Sequence, residues 1–504
     1  MSVVPYSHSN SSNRSVGVTV IRRSTSALSL NTYDNSKRNN NDEERSISIK
    51  DIKQFIYQLC KDKQFRLAES VLSKIDMQTA LRSRQIDIDS NLIFNVCLSD
   101  EGEPITDQKQ SGRCWLFSIT NVIRIFVARQ YNLEQFQLSQ SYLYFYDHLA
   151  KANWFLESMI DLANQPLDSR TVQYLLSGSA AQDGGAYDMA VALIQEYGLV
   201  PQSIYTESFN TSSSNHLDEL LNSKLREYAL ELRTMINQQL GKNESMREVR
   251  QLKREQMKEV FRILATCCGM PPAPTDTFEW EFYDKNKRYQ RIVTSPLNFV
   301  RSHTGSYDIS STIVLVNDPR HSFNQIYTVD KLGNVVGSQR QVKYLNVSIE
   351  QIKLFTKQTL QDKVPVWFGC DVEKASNMDK GVMDLHLCEI TQEDAFGTGA
   401  SVNMTKKERL EMGDSSMTHA MMFTGVHVNH DTGRPKKWKV ENSWGPKACN
   451  HGFFVMSDDW FSEYVYQVAI LRSRLPVELL RIYDNSRVTV LPCWDPLGAL
   501  AKAG

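Results

Sequence analysis

The segment Gln108-Lys109-Gln110-Ser111-Gly112-Arg113-Cys114-Trp115-Leu116-Phe117 sets a cysteine just after a glycine turn, at the start of a run with helical periodicity. The attacking species of such a cysteine is the thiolate, and a helix N-terminus stabilises negative charge. The sequence therefore predicts that Cys114 ionises more readily than a free thiol. Ser111 is placed to cap the helix, and Gly112 lets a substrate backbone approach. Attack on a carbonyl also needs donors for the oxyanion and a base that hands a proton to the leaving amine. Gln108, six residues upstream, offers an amide NH₂ for the oxyanion, beside the Cys114 backbone N–H. The base candidate is His419, which opens the apolar run His419-Ala420-Met421-Met422-Phe423. Farther on, Val440-Glu441-Asn442-Ser443-Trp444-Gly445 ends a second apolar run on an asparagine. Its amide oxygen suits one imidazole nitrogen, leaving the other to face the thiolate. Trp444 is placed to shield that bond from water.

Taken singly, these residues have plainer readings. A cysteine at a helix start is usually small packing, a histidine on an apolar strand a satisfied core residue, and an asparagine a turn former. Their order and their particular neighbours carry the weight together.

The elements that must position them follow from pattern. Ile52, Phe55, Ile56 and Leu59 recur at helical spacing, and helices are predicted over 111–131, 139–160 and 186–197. Between His216 and Cys268, two apolar stripes interrupted at Gly241 predict a helical hairpin, stopped by Gly269-Met270-Pro271-Pro272. Beyond residue 275, short runs rich in aromatic and β-branched residues predict strands at 278–282, 312–316, 364–368, 420–428, 438–440 and 452–456. Helices first and an antiparallel sheet later make an α+β architecture of two lobes. The expected parts are a polar, disordered extension at 1–46, a helical lobe at 47–214 and an inserted helical hairpin at 215–272. A β-rich lobe at 273–488 and a C-terminal arm at 489–504 complete the chain.

The segments QSGRCWLFS, MTHAMMFTG and VENSWG resemble the papain superfamily, and more closely its intracellular branch, the bleomycin hydrolase family. The likeness continues at Leu138 to Asp147, Asp183-Gly184-Gly185, Asn317-Asp318-Pro319-Arg320-His321 and Leu332 to Val335. It ends in Leu491-Pro492-Cys493-Trp494-Asp495-Pro496-Leu497-Gly498-Ala499-Leu500-Ala501-Lys502, and so covers about residue 47 onward. The resemblance implies a two-lobe papain-like fold, with a helical lobe and an antiparallel, barrel-like β lobe. It implies Cys114 as nucleophile, His419 as base and acid, Asn442 as orienter and Gln108 as oxyanion donor. Asp183, Gly184 and Gly185 resemble the strip that holds extended substrate. Ala501 and Lys502 fall in an arm that blocks the cleft, so the expected activity is that of a cysteine aminopeptidase on peptides and aminoacyl amides. A homohexamer is implied as well. Secreted relatives carry a disulfide cysteine three positions before the nucleophile, and here Ser111 stands there. Ala503 and Gly504 extend beyond the family's arm.

Composition agrees with this and narrows the rest. The 504 residues are 41% apolar and 23% charged, with a formal net charge of −1, so no overall charge favours nucleic acid or an anionic membrane. Nine cysteines without CxxC or zinc-site spacing predict free thiols in a reducing compartment, with no metal and no cofactor. No apolar stretch is long enough to span a membrane, and no secretory signal opens the chain. A cytoplasmic enzyme is expected. The first 33 residues contain Arg14, Arg22 and Arg23 but no acid, so a mitochondrial address is the alternative. Two other functions stay open at this level. Basic clusters at Arg247 to Arg250 and Lys253-Arg254 would serve weak nucleic-acid binding by a scaffold with secondary hydrolysis. A Cys-His acyltransferase would pass the same acyl group to an amine.

Overall fold

A helix beginning on Cys114 is the centre of the described structure, a computed structural model covering residues 45–99, 103–178, 180–238, 245–388, 395–397 and 402–502. The expected disordered extension falls almost wholly outside these residues, as do Ala503 and Gly504. The chain divides into one compact unit ending at Ser70 and another beginning at Val71.

In the first unit, helix α1 (Ile49–Lys61) is closed by a capping box. The Ser48 hydroxyl accepts from the Asp51 N–H at 3.1 Å, and the Asp51 carboxylate accepts from the Ser48 N–H at 3.0 Å. The stripe Ile52, Phe55, Ile56 and Leu59 is helical as expected and exposed. Helix α2 spans Lys63–Leu72.

In the second unit, α3 (Cys114–Tyr131) is buried continuously from Cys114 to Val127, which is why its sequence is apolar on every side. Asn132, in the left-handed conformation at φ 51°, ends it. Helices α4 (Gln140–Asp161) and α5 (Tyr187–Tyr197) pack with it, α4 being capped by the Ser139 hydroxyl at 3.1 Å from the Tyr142 N–H. The hairpin is α6 (Asn215–Gln238) and α7 (Ser245–Cys268). Leu217, Leu221, Leu225, Val249, Val260 and Leu264 sit in the same buried cluster as α3 and α4, so the hairpin shares the helical core.

The sheet is built around β1 (Thr312–Val316), β2 (Val366–Cys370), β3 (His419–Val428), β4 (Pro435–Glu441), β5 (Phe453–Ser457) and β6 (Val465–Leu471). Their order is β1-β6-β2-β3-β4-β5, and every pair in that run is antiparallel. The edges depart from the expected all-antiparallel, barrel-like lobe. Tyr344–Asn346 runs parallel to β1, Val382–Met383 parallel to β5, and Val488–Leu491 parallel to Gln325–Val329, on an open strand path. Parallel neighbours need long crossovers, which local sequence does not display. Along β3, Ala420 and Met422 enter the helical core while Met421 and Phe423 enter a second core on the other side. Burial on both faces explains why these strands read as unbroken apolar runs.

Candidate active site

Cys114 is the first residue of α3, and its residue is only 3% exposed. The nearby backbone N–H groups of Ala420, Trp115 and Cys114 itself favour its thiolate form. The start of β3 is thereby packed on the start of α3, and two residues about 300 positions apart become neighbours. His419 opens β3 opposite Cys370, and Asn442 directly follows β4, whose Glu441 pairs with Met422. Adjacent antiparallel strands therefore bring the two side chains together: His419 Nε2 lies 2.8 Å from Asn442 Oδ1. An amide oxygen only accepts, so Nε2 carries the proton and Nδ1 is left as an acceptor. The Ser443 N–H donates to the same oxygen at 2.8 Å and holds the amide in place. The Trp444 ring lies over His419 with centroids 4.8 Å apart, covering the bond as expected.

Gln108 is drawn in by Ser443. Its N–H donates to the Ser443 carbonyl at 2.7 Å, and its Oε1 accepts from the Ser443 hydroxyl at 2.7 Å. One Nε2 hydrogen goes to the Ser111 carbonyl at 2.7 Å, and an amide has a second to offer an oxyanion. Ser111 does not cap α3, contrary to expectation. Its hydroxyl donates to the Gln108 carbonyl at 2.6 Å and accepts from Arg113 Nε at 2.8 Å, so it braces the turn instead. The N-cap position is Arg113, without a side-chain bond.

Asp183 holds the turn from the other side. Its Oδ2 accepts from the Gly112 N–H and the Ser214 hydroxyl, both at 2.6 Å, and its carbonyl accepts from Trp115 Nε1 at 2.6 Å. The carbonyls of Gln182 and Gly184 accept from Lys151 Nζ at 2.5 and 2.6 Å. A Cβ on Gly185 would stand 2.5 Å from the Trp115 indole, so only glycine lets the strip lie there. The C-terminal arm reaches this strip, for Gln182 Nε2 donates to the Ala501 carbonyl and Lys502 Nζ stands 3.2 Å over the Tyr174 ring. A cavity of about 100 Å³ lies between arm and strip, lined by Lys151, Gln182, Ala501 and Lys502 among others.

Burial corrects the expected ease of ionisation. It pushes the Cys114 thiol up to about 11, with the Asp183 charge adding to it, although the helix-start N–H groups pull the other way. Burial also pulls His419 down to about 4 against the Asn442 bond. Each group by itself is thus neutral near pH 7. A transfer of the thiol proton to Nδ1 would leave the net charge of the two groups at zero, so an ion pair there would depend on mutual attraction and on the helix terminus.

Two side-chain clusters that spacing did not reveal gather near these elements, His148 with Asp183 and Asp218, and Asp318 with His321 and Asp495. In the second, the Arg320 guanidinium is already the cation, 2.6 Å from Asp318 and 2.8 Å from Asp495. The basic face of α7 is partly engaged by other residues, because Arg250 and Lys253 both pair with Glu157. All nine cysteines are free, as expected. Sequence reasoning missed Ser443, Lys151 and His148. The only trace of the last two was charge inside the otherwise apolar text of α4.

These positions fit a wider pattern. Residues 46–498 match the sequence model of the Peptidase C1-like family, and the chain belongs to that family; it is a cysteine peptidase of papain-like fold. Human bleomycin hydrolase is 40% identical over 454 residues, 89% of this chain and 97% of that protein. "Cysteine proteinase 1, mitochondrial" of Saccharomyces cerevisiae (strain JAY291) is 37% identical over 462 residues, 91% of this chain and 93% of that one. The crystal structure of PepW from Lactobacillus rhamnosis superimposes with a TM-score of 0.84 at 36% identity, covering 90% of this chain and 99% of the other.

Proposed function

We propose that this chain is a cysteine aminopeptidase that removes N-terminal residues from peptides and hydrolyses aminoacyl amides, bleomycin-type amides included. The observation that carries the reading is the packing of the Cys114 thiol against the start of β3, where Asn442 fixes the His419 ring with Nδ1 unprotonated. In this mechanism Nδ1 takes the thiol proton and the sulfur attacks the carbonyl carbon. The oxyanion is held by the Cys114 N–H and the second Nε2 hydrogen of Gln108. The imidazolium gives its proton to the leaving amine, and a thioester remains. His419 then takes a proton from water, whose attack releases the acid and restores the thiol. No metal or cofactor enters.

Exopeptidase specificity follows from the arm. In this reading the arm closes the unprimed side of the cleft, so that only one residue precedes the scissile bond. The Gln182–Ala501 contact, beside the strip at Asp183, Gly184 and Gly185, supports this arrangement. The reading also includes a homohexamer and a cytoplasmic location, with residues 1–46 as a mitochondrial address the alternative. A fusion of those residues to a fluorescent protein separates the two locations.

Replacing Cys114 by alanine tests the core of the reading. Turnover of an aminoacyl amide should vanish, and full activity in that variant would remove Cys114 from the chemistry. An added amine acceptor measures how much thioester goes to aminolysis rather than to water.

A further inference from the structure

Tyr144, Asp147, His148 and Lys151 lie three and four residues apart on α4, all buried, so one helix face carries four polar groups into the core. Lys151 grips the substrate strip and pairs with Asp147 at 2.5 Å. His148 has no part in the mechanism above, yet both of its nitrogens are committed. Nδ1 lies 3.1 Å from the Tyr144 carbonyl, while Nε2 lies 3.0 Å from Asp218 Oδ1 and 3.6 Å from Asp183 Oδ1. A carbonyl and two carboxylates are acceptors, so the ring satisfies them only with a proton on each nitrogen. Burial opposes that charge, but the bond to Asp218 and the fields of Asp218, Asp183 and Asp147 outweigh it and hold the ring above its ordinary pKa.

The other charged and titratable groups nearby are already engaged. Lys151 and Asp147 pair with each other, Arg113 lies 5.6 Å from the Tyr144 ring and pairs with Glu207, and the Tyr144 hydroxyl donates to Asp218 at 3.3 Å. The Cys268 thiol also lies near Tyr144. Among the described residues Asp183 Oδ1, on a side chain 3% exposed, has no hydrogen-bond donor, and the His148 ring is the ionic partner facing it. Asp183 accepts the Gly112 N–H and is also the carboxylate that disfavours a negative charge on Cys114.

We propose that His148, held as an imidazolium between Asp218 and Asp183, is a positioning residue for Cys114: it balances the Asp183 charge, so that this carboxylate anchors Gly112 without opposing the thiolate. The inference rests on Cys114 being the nucleophile. It assigns to α4 an electrostatic role besides packing, with the effect passed through Asp183 rather than by contact with substrate.

The experiment follows Cys114 alkylation by iodoacetamide against pH, read by mass spectrometry of the Cys114 peptide, beside kcat/KM on an aminoacyl anilide. In His148→Gln an uncompensated Asp183 raises the cost of the thiolate, so the acid limb of both profiles moves up by about one pH unit, a loss of about tenfold on that limb. His148→Lys keeps a cation and returns the limb toward the parent. An unmoved limb in His148→Gln, or identical profiles for the two variants, overturns the proposal. Neutron diffraction from the unaltered protein needs no variant. Deuterium on both ring nitrogens is expected, and a neutral ring overturns the proposal. So does activity that a chelator abolishes and zinc restores, which would put a metal where the proton is assigned. Full turnover by Cys114→Ala would instead sink the nucleophile assignment, a separate result.

Discussion

Burial acts on Cys114 and His419 in opposite senses, and the consequence for stability has a definite sign. In Cys114→Ala there is no thiol proton to transfer, and His419 answers to burial, which outweighs its bond to Asn442. Its folded pKa of about 4 lies below the ordinary 6.5, so between those values the unfolded chain binds a proton that the folded one refuses. The contribution is complete above pH 6.5 and is lost as the pH falls toward 4. Urea midpoints of Cys114→Ala should fall across that window, and adding His419→Gln should flatten that part of the slope; equal slopes would assign the effect to another group. Gly185 offers a steric prediction. An alanine Cβ 2.5 Å from the Trp115 indole must displace the ring and break its 2.6 Å bond to the Asp183 carbonyl. A misplacement of this size beside the nucleophile costs about 10²-fold in kcat/KM, measurable with the anilide substrate alongside a change in tryptophan emission.

The elements that carry the reactive groups are tied by a buried ion pair. Arg124 of α3 reaches Glu441 of β4 at 2.6 Å, with side chains 3% and 0% exposed, one residue before Asn442. A second guanidinium nitrogen donates to the Pro104 carbonyl at 2.5 Å. The ion pair ties the helix that starts at Cys114 to the strand that Asn442 follows. Arg124→Met strands the Glu441 carboxylate in the core without this cation and should cost about 3–5 kcal/mol in urea unfolding. Arg124→Met with Glu441→Leu should regain much of that, since an apolar pair removes the stranded charge. If the double variant is no more stable than the single one, the loss lies in packing of the arginine stem and not in charge.

At the scale of the molecule, the proposed exopeptidase reading turns on the C-terminal arm. The arm is held at several points: Arg320 pairs with Asp495, the Tyr344 hydroxyl donates to the Leu497 carbonyl at 3.4 Å, and Gln182 meets Ala501. Removing the residues after Leu500 should free the unprimed side and convert strict stepwise trimming into internal cleavage. Mass spectra of mixed peptide digests would show this as products lacking intact ends, and unchanged trimming would separate specificity from the arm. Light scattering tests the proposed homohexamer: a particle of six 57.8 kDa chains is the expected outcome, and a monomer would overturn it.

Local sequence was enough to propose Cys114, His419 and Asn442, because each stands at or just beyond the end of an element whose turn and apolar run are written in its immediate neighbours, and Gln108 from its place in the turn before α3. Helix and strand periods placed α3 through α7 and β1 through β5 for the same reason: they are one-dimensional patterns, whereas β6, which lies between β1 and β2, is not among the expected strands. Ser111 shows where that reasoning stops. Its spacing suits a cap, but Lys109 takes φ 55° and the hydroxyl turns back to Gln108. The parallel edge strands, the Ser443 bridge, the buried Arg124–Glu441 pair and the His148–Asp183 contact are all meetings of residues distant in the chain. The direction of each pKa shift belongs with them. Burial and electrostatic fields sum over whatever the tertiary fold brings within a few ångströms, and that sum is not encoded in any single stretch of residues.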